Sequence, residues 1–544
     1  MSGHSREQEG TIVAKTTYSV AIAVGVLGLA ATTQAHAQVA GGGDAEIAAL
    51  KKQLATLEQK LDKLQKQTDT NSTVAASANK KAEDAKVKLS AVSANSIYPA
   101  KGPIMPSGVV VKMPNNRPTI CTADDQNCIA ITSRLQFDAG GYNFRPNSAA
   151  TSPQHLDNGV NARRARIGII GKFAGDWNYA LIYDFGGASD GFGGTGAAGS
   201  TSVGFLPGGA TSGLENAYLS YTGFHPLGGK LAIEGGYMDL PYTLEEATSS
   251  NDILFMERGS AGVIATNIAA GDFRSTFGAR WYTDTFWAGA YATGPASGAI
   301  HSASSVSPQG TSEQDGAVVR VAGQVLSGPG YSFHLGADAQ FLIQAPHNFV
   351  TGAQTLTLSD RPELRIDPTV LITTAALTGV SGAQVYSVET AGNYGPLFFQ
   401  GEYFWYNVDR SDLPGLSSVK FDGGYGEVAY AITGENRPYN PASASYGGLT
   451  PLHPFSLTGG GLGAIELAGR VSIVDLNDQL ATANGVAGGR QTVYTAGLNW
   501  YPNSNIRFMF NYLHGDISKQ ISALNSGNSG SSFDAFAMRT QIAF

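Results

Sequence analysis

Three arginines are set apart by what lies opposite them. In LAGRVSI, Arg470 shares one face of a period-two stretch with Ala468 and Ser472, while Leu467, Val471 and Ile473 take the other. In IRFMFNYL, Arg507, Met509 and Asn511 lie opposite Ile506, Phe508, Phe510 and Tyr512. In the closing FDAFAMRTQIAF, Arg539 with Ala537, Gln541 and Ala543 lies opposite Phe536, Met538, Thr540, Ile542 and Phe544. A guanidinium is always charged and offers paired N–H donors that fit carboxylates and phosphates. A sandwich core would not leave arginines opposite so many aromatic residues. The wet lumen of a wide barrel set in lipid would, because there the charged face meets water and the apolar face meets acyl chains.

No other constellation points to catalysis. The seven histidines of the β-rich region (His155, His225, His301, His334, His347, His453 and His514) show no spacing with Ser or Asp that would build a nucleophile system, and read as scattered surface residues. There is no HExxH, and GGASDGFGG (186–194) lacks the Lys-Ser/Thr ending of a phosphate-binding loop. DLNDQ (475–479) and the Asp124–Asp125 pair offer too few ligands for Ca²⁺. The chain is thus expected to be no enzyme and to need no metal or cofactor. Cys121 and Cys128 stand in TICTADDQNCIAI, where an oxidising compartment favours a disulfide closing a short loop. Two free thiols or a metal site are the alternatives.

The elements that must position the arginines are strands. Only 14% of the 544 residues are charged, against roughly 25% in soluble proteins, while Gly reaches 69 and Tyr and Phe 23 and 24. Mean hydropathy is −0.08. Beyond residue 30 no apolar run reaches the roughly 18 residues of a spanning helix. From about 128 onward the period is two: WNYALIY puts Trp177, Tyr179, Leu181 and Tyr183 on one face. Short turns such as AGDWN, SGPGYS and YPNSN alternate with long Gly/Ser/Pro-rich stretches at 186–213, 295–315 and 515–532. That asymmetry belongs to outer-membrane barrels. Trp177, Tyr183, Trp281, Trp287, Trp405, Trp500 and Tyr501 fall near strand ends, as an interfacial aromatic girdle requires.

The N-terminal part divides into three. Residues 1–37 read as a signal peptide, with an apolar stretch at 18–31 and the small-x-small site Ala35-His36-Ala37. Residues 44–68 carry Ile47, Leu50, Leu54, Leu57, Leu61 and Leu64 at spacings of three and four, a heptad seam. A coiled coil between protomers and a single amphipathic helix on another surface both satisfy it. Residues 69–119 read as a linker, placing the helix in the periplasm, apart from a barrel over 120–544.

Several segments resemble the phosphate-selective porins of the O and P type. They are ARRARIGIIGKFAGDWNYALIYDF (162–185), LENAYLSYTG (214–223), LEEATSSNDILFMER (244–258), LSDRPELRID (358–367), FDGGYGEVAYAITGENRPY (421–439), ELAGRVSIVDLNDQ (466–479) and GLNWYPNSNIRFMFNYLHG (497–515), with the terminus. The resemblance implies an all-β transmembrane barrel of sixteen or eighteen antiparallel strands, usually trimeric, in the outer membrane of a Gram-negative bacterium. A trimer would give the coiled coil three equivalent chains. Such pores discriminate by charge at a constriction narrowed by an inward loop. Matched by motif, Arg163 and Arg164 are candidate anion-binding residues, Arg258 would face them from the loop, and Asp184 would moderate the site. On a regular strand Arg163 and Arg164 cannot both face the lumen.

The charge balance departs from that pattern. Residues 120–544 hold 21 Lys and Arg against 34 Asp and Glu, a net of −13, with only Lys172, Lys230, Lys420 and Lys519 as lysines. Long-range steering would then favour cations or no ion strongly, while local geometry leaves an anion such as phosphate open. A channel for small hydrophilic solutes and ions follows; no nucleic-acid partner is expected. The alternative is a tether, since residues 38–119 carry 12 basic against 7 acidic side chains that could meet an anionic cell-wall polymer.

Overall fold

The computed structural model describes residues 108–147, 155–186, 213–269, 273–294, 314–345 and 353–544, with isolated helical positions between Ala55 and Lys66. The signal peptide, the seam leucines of 44–68 and the linker up to residue 107 lie outside the described residues. The chain divides into compact units at 1–102 and 103–544, and the second is described here.

Period-two patterning becomes a closed antiparallel barrel of sixteen strands. They begin with β1 (Cys128–Pro146), β2 (Gly159–Phe173), β3 (Trp177–Asp184), β4 (Gly213–Phe224), β5 (Lys230–Met238) and β6 (Arg274–Tyr282). Next come β7 (Phe286–Thr293), β8 (Asp315–Gly328), β9 (Tyr331–Gln344), β10 (Gly382–Tyr394) and β11 (Leu397–Asp409). The ring is completed by β12 (Val419–Ala431), β13 (Ala464–Asp478), β14 (Val486–Asn503), β15 (Ile506–Ser518) and β16 (Ser531–Ala543). β16 pairs with β1 from Ser531↔Pro146 to Ala543↔Arg134, so no edge strand is left in the ring. Phe544 extends the seam: its N–H donates to Ser133 O at 3.1 Å, and Ser133 N–H returns the bond at 3.0 Å.

The faces separate as the sequence pattern requires. Trp177, Leu181, Leu467, Val471, Phe510 and Met538 are exposed on the outside, and Phe536 is 68% exposed. Arg470, Arg507 and Arg539 are buried on the inside. Aromatic pairs sit at both rims, for example Trp177–Tyr221 and Trp500–Phe508 at one and Tyr403–Trp405 and Tyr512–Phe536 at the other. Two residues assigned to the girdle turn inward instead: Trp287 and Tyr501 are buried in the lumen. Each stands one strand position away from an outward aromatic, Phe286 and Trp500, and alternation sends neighbours to opposite faces.

A hairpin precedes the ring. Val109–Lys112, within the stretch read as linker, pairs with Thr119–Thr122, which straddles the expected start of the barrel, and the second strand pairs with the start of β1. Cys121 lies directly across from Cys128 there, with the two sulfurs in bonding contact.

Three connections enter the lumen. The 239–273 segment carries α1 (Leu244–Ala247) and α2 (Ser260–Ala269), and α2 packs against β8, β9, β11, β12 and β13. Its tail therefore completes the inward loop before β6 begins. The 345–381 segment, described from residue 353, folds as two small ladders. Together they bury Ile264, Ile268, Leu358, Leu371 and Ile372 against Val408, Val474, Val493 and Phe533 of the wall. The apolar half of the lumen is thus a packed core toward the long-loop rim. The third, 432–463, enters from the rim of short turns and is the one long connection there among those the ring defines.

Close packing of wall backbone makes some positions intolerant. Gly236 holds φ at 137°, and a Cβ there would lie 2.4 Å from Ala217 O. Gly236→Ala is expected to destabilise the barrel by about 1–3 kcal/mol, read as a lower urea midpoint for loss of the heat-modifiable folded band. An unchanged midpoint would mean that β4 and β5 relax to accept a methyl group.

Candidate functional site

The site begins with an irregularity. Gln136 pairs with Arg164 but Phe137 pairs with Ala162, so Arg163 is an extra residue bulged into β2. The bulge removes the alternation that would have sent one arginine outward, and both Arg163 and Arg164 are buried inside the ring. The condition attached to a regular strand therefore does not apply.

Arg163 is seated on the inward loop. Its Nε donates to Glu257 Oε1 at 2.8 Å and its Nη2 to Glu257 Oε2 at 3.0 Å. Arg539 Nη2 donates to the same Oε1 at 2.7 Å, while its Nε and Nη2 hold Asp138 at 2.7 Å each. Arg164 donates through Nη1 to Gln136 Oε1 at 2.9 Å, and its Nε is buried without a hydrogen-bond partner. Burial raises the pKa of Glu257, but Arg163, Arg539 and Arg164 outweigh it and hold the carboxyl well below its usual range.

The other two expected residues are placed differently. Arg258 does not face Arg163 and Arg164; it turns to Glu246 of α1 at 3.1 Å and donates to Glu245 O at 3.1 Å. The physical reason is electrostatic: a carboxylate meets the arginine cluster, while a fourth guanidinium there would be repelled and finds its own acid. Asp184 accepts from Arg166 Nε at 2.9 Å and from the N–H groups of Ala165 and Gly186 at 2.9 and 2.7 Å. It moderates Arg166, one step along β2, rather than the bulged pair.

The same pairing recurs around the lumen. Arg470 bonds Glu363 at 2.7 Å, Arg437 bonds Glu466 at 2.8 Å, Arg320 bonds Glu389 at 2.9 Å and Arg280 bonds Glu234 at 3.0 Å. Buried charges are costly unless paired or hydrogen-bonded, so these arginines meet carboxylates, some of them on inserted segments, while Arg507 donates instead to the Asn251 and Leu254 carbonyls. Most of these guanidiniums are sealed from water: Arg539 has none of its side chain exposed. Arg166 and Arg280 keep 13% and 21%. Among the arginines that pair across the lumen side of the ring, water therefore reaches those on the wall that runs from β2 to β6.

The segment at 432–463 is held by residues that sequence reasoning passed over. His334, read as a surface histidine, is fully buried, with Nε2 2.9 Å from Glu389 and Nδ1 3.1 Å from the Tyr439 hydroxyl. Arg320 donates to Ser443 O and Ala444 O at 2.8 Å each, and Trp287 Nε1 donates to Ala442 O at 3.0 Å. The even placement of His334 within β9 was the available signal, since it shares the inward face with Asp338 and Gln340.

Among the described residues, the two acidic clusters are engaged otherwise than as metal ligands. Asp338, Glu389 and Glu402 bring oxygens within 4.8 Å of one another. Glu402, however, accepts from Leu244 N and Glu245 N at 2.6 and 3.0 Å, pinning the first turn of α1, while Glu389 is engaged by Arg320 and His334. Cys121 and Cys128, grouped with Asp125, are joined to each other and offer no thiolate.

Residues 129–544 match the family described as phosphate-selective porin O and P. The chain belongs to this family. Porin O of Pseudomonas aeruginosa is 23% identical over 451 residues, covering 78% of this chain and 90% of that protein. An uncharacterised protein of Caulobacter vibrioides is 34% identical over 179 residues, and the match spans only 33% of each chain. Among solved structures, OmpT, an outer membrane protein of Vibrio cholerae, aligns with a TM-score of 0.42 at 11% identity, over 77% of this chain and 98% of that one. As a member of the family the protein is an outer-membrane β-barrel porin, and its ring of sixteen strands decides between the two counts that the resemblance allowed.

Ion pairing makes the inserted porin segment sensitive to single changes. Glu466→Ala leaves Arg437 buried and uncompensated, a loss of about 3–5 kcal/mol for that contact. Single-channel recordings should then show larger and noisier conductance as the 432–463 segment loosens. A conductance trace like that of the parent protein would show that Arg320 and Trp287 hold the segment without Arg437.

Proposed function

We propose that this porin conducts small hydrophilic solutes and ions by passive diffusion, with weak preference between cations and anions. The carrying observation is that the charged residues lining the water-reaching wall balance locally. Arg166 meets Asp184 and Glu215, and Arg280 meets Glu234. Arg134, which donates to the hydroxyls of Ser249 and Ser250, adds a third cation on the same side. Three guanidiniums are matched by three carboxylates among the described residues of this wall, and the net −13 of the barrel region adds no attraction for anions.

Phosphate specificity would require a guanidinium free to present two donors to the anion. Arg163 and Arg258 are occupied by Glu257 and Glu246. Arg164 alone of the expected set has no carboxylate hydrogen-bonded to it among the described residues, and its unpartnered Nε is what supports a residual anion affinity. A homotrimer, with the N-terminal helices joined as a coiled coil in the periplasm, accords with the family. A tether role would rest on the basic N-terminal stretch and finds no support in the barrel.

The reading is tested by planar-bilayer recording of the purified protein in a KCl gradient, repeated with phosphate. Conducting steps, grouped in threes, with a reversal potential near zero and no block by millimolar phosphate are expected. An anion-signed potential with phosphate block would replace this reading by an anion-selective one, and a silent bilayer would remove the pore altogether.

A further inference from the structure

We propose that the Glu257 carboxylate acts as a built-in anion, filling the arginine cluster of β1, β2 and β16 and thereby setting the ion preference of the pore. The inference rests on the pore reading above and goes further by naming the residue that suppresses anion selectivity.

Among the described residues the cluster contains three guanidiniums, Arg163, Arg164 and Arg539, and two carboxylates, Glu257 and Asp138, so these five side chains carry one positive charge in excess. Asp138 belongs to the wall and serves Arg539 alone, through both of its oxygens. Glu257 comes from the inserted loop and gives Oε1 to both Arg163 and Arg539 and Oε2 to Arg163. Two oxygens on a trigonal carbon, gripped by donors from two guanidiniums, reproduce what an oxyanion from solution would offer to the same side chains. A diffusing anion must displace Glu257 to gain those bonds, which an attached carboxylate at high effective concentration opposes.

The backbone around Glu257 is anchored independently of its side chain. Met256 N–H donates to Asn511 Oδ1 at 2.9 Å, Glu257 O accepts from Arg470 Nη1 at 2.9 Å, and Leu254 O accepts from Asn499 Nδ2 at 3.0 Å. Neutralising the carboxylate therefore leaves the loop tied to β13, β14 and β15. It also raises the excess in the cluster from one positive charge to two, which a buried site offsets by recruiting an anion.

The test compares the parent protein with Glu257→Gln and Arg163→Gln by reversal potential in a KCl gradient and by titration with inorganic phosphate. Glu257→Gln is expected to move the chloride-to-potassium permeability ratio several-fold toward chloride, and to make the current sensitive to phosphate. Arg163→Gln, which lowers the cluster charge, should move the ratio the opposite way. If Glu257→Gln raises conductance with no change in the ratio, the carboxylate is only a loop fastener and the proposal falls. If Glu257→Gln fails to insert, an unchanged ratio in Arg163→Gln overturns it equally. A parent protein that does not conduct would instead remove the pore reading on which the proposal rests.

Discussion

A guanidinium buried inside the ring needs acceptors for its donors, chiefly carboxylates and, for Arg507, the Asn251 and Leu254 carbonyls, and this need organises the interior of the barrel. The wall supplies Arg163, Arg320, Arg470 and Arg539, none of which could remain inside the ring unpaired. Their partners are divided between wall and inserted segments: Glu389 and Asp138 from strands, Glu257 and Glu363 from loops. An acid on a loop that answers an arginine on a strand fixes that loop in the lumen. Fold and pore are therefore set by the same contacts, because the residues that hold the loops in place are those that would otherwise face the permeating ion.

The lumen is accordingly divided by chemistry. Toward the long-loop rim the inserted segments and the wall share an apolar core, with Ile264, Leu358 and Leu371 against Val474, Val493 and Phe533. At mid-height an ionic layer succeeds it, with Glu402 pinning α1, and Arg470 and Arg539 grasping backbone carbonyls of the loop beside it. From the other rim, Arg320, Trp287, His334 and Glu466 receive the 432–463 segment. Apolar packing supplies the bulk of the loop docking, while the directional ionic contacts select one seating among those that packing alone would allow. Water is left chiefly the wall near Arg166 and Arg280.

This arrangement explains how a member of a phosphate-selective family can carry an acidic barrel. Net charge alone would have argued against any anion site, and the family motif alone would have argued for one. Local pairing reconciles the two: Arg163 and Arg164 both point inward, yet Glu257 occupies Arg163, and Arg258 turns away to Glu246. Arg164 keeps an unpartnered Nε among the described residues, so the cluster is not fully neutralised.

What the sequence determined by itself is the two-sidedness of the strands. The alternation around Arg470, Arg507 and Arg539 identified lipid-facing and lumen-facing residues one by one, because in a strand the face follows from parity alone. The same parity placed Phe544 at the end of a pairing strand. The lengths of the connecting stretches set short turns at one rim, where only 432–463 departs from them among the connections the ring defines. Tertiary structure decided whatever depends on departures from parity or on distant partners. The bulge at Arg163 turned two adjacent arginines inward together, Trp287 and His334 became clasps for a segment more than 100 residues away, and the loop residue facing Arg163 proved to be Glu257 rather than Arg258. No local pattern contains such choices: a charge selects its partner only after the ring has closed and brought both into one low-dielectric space.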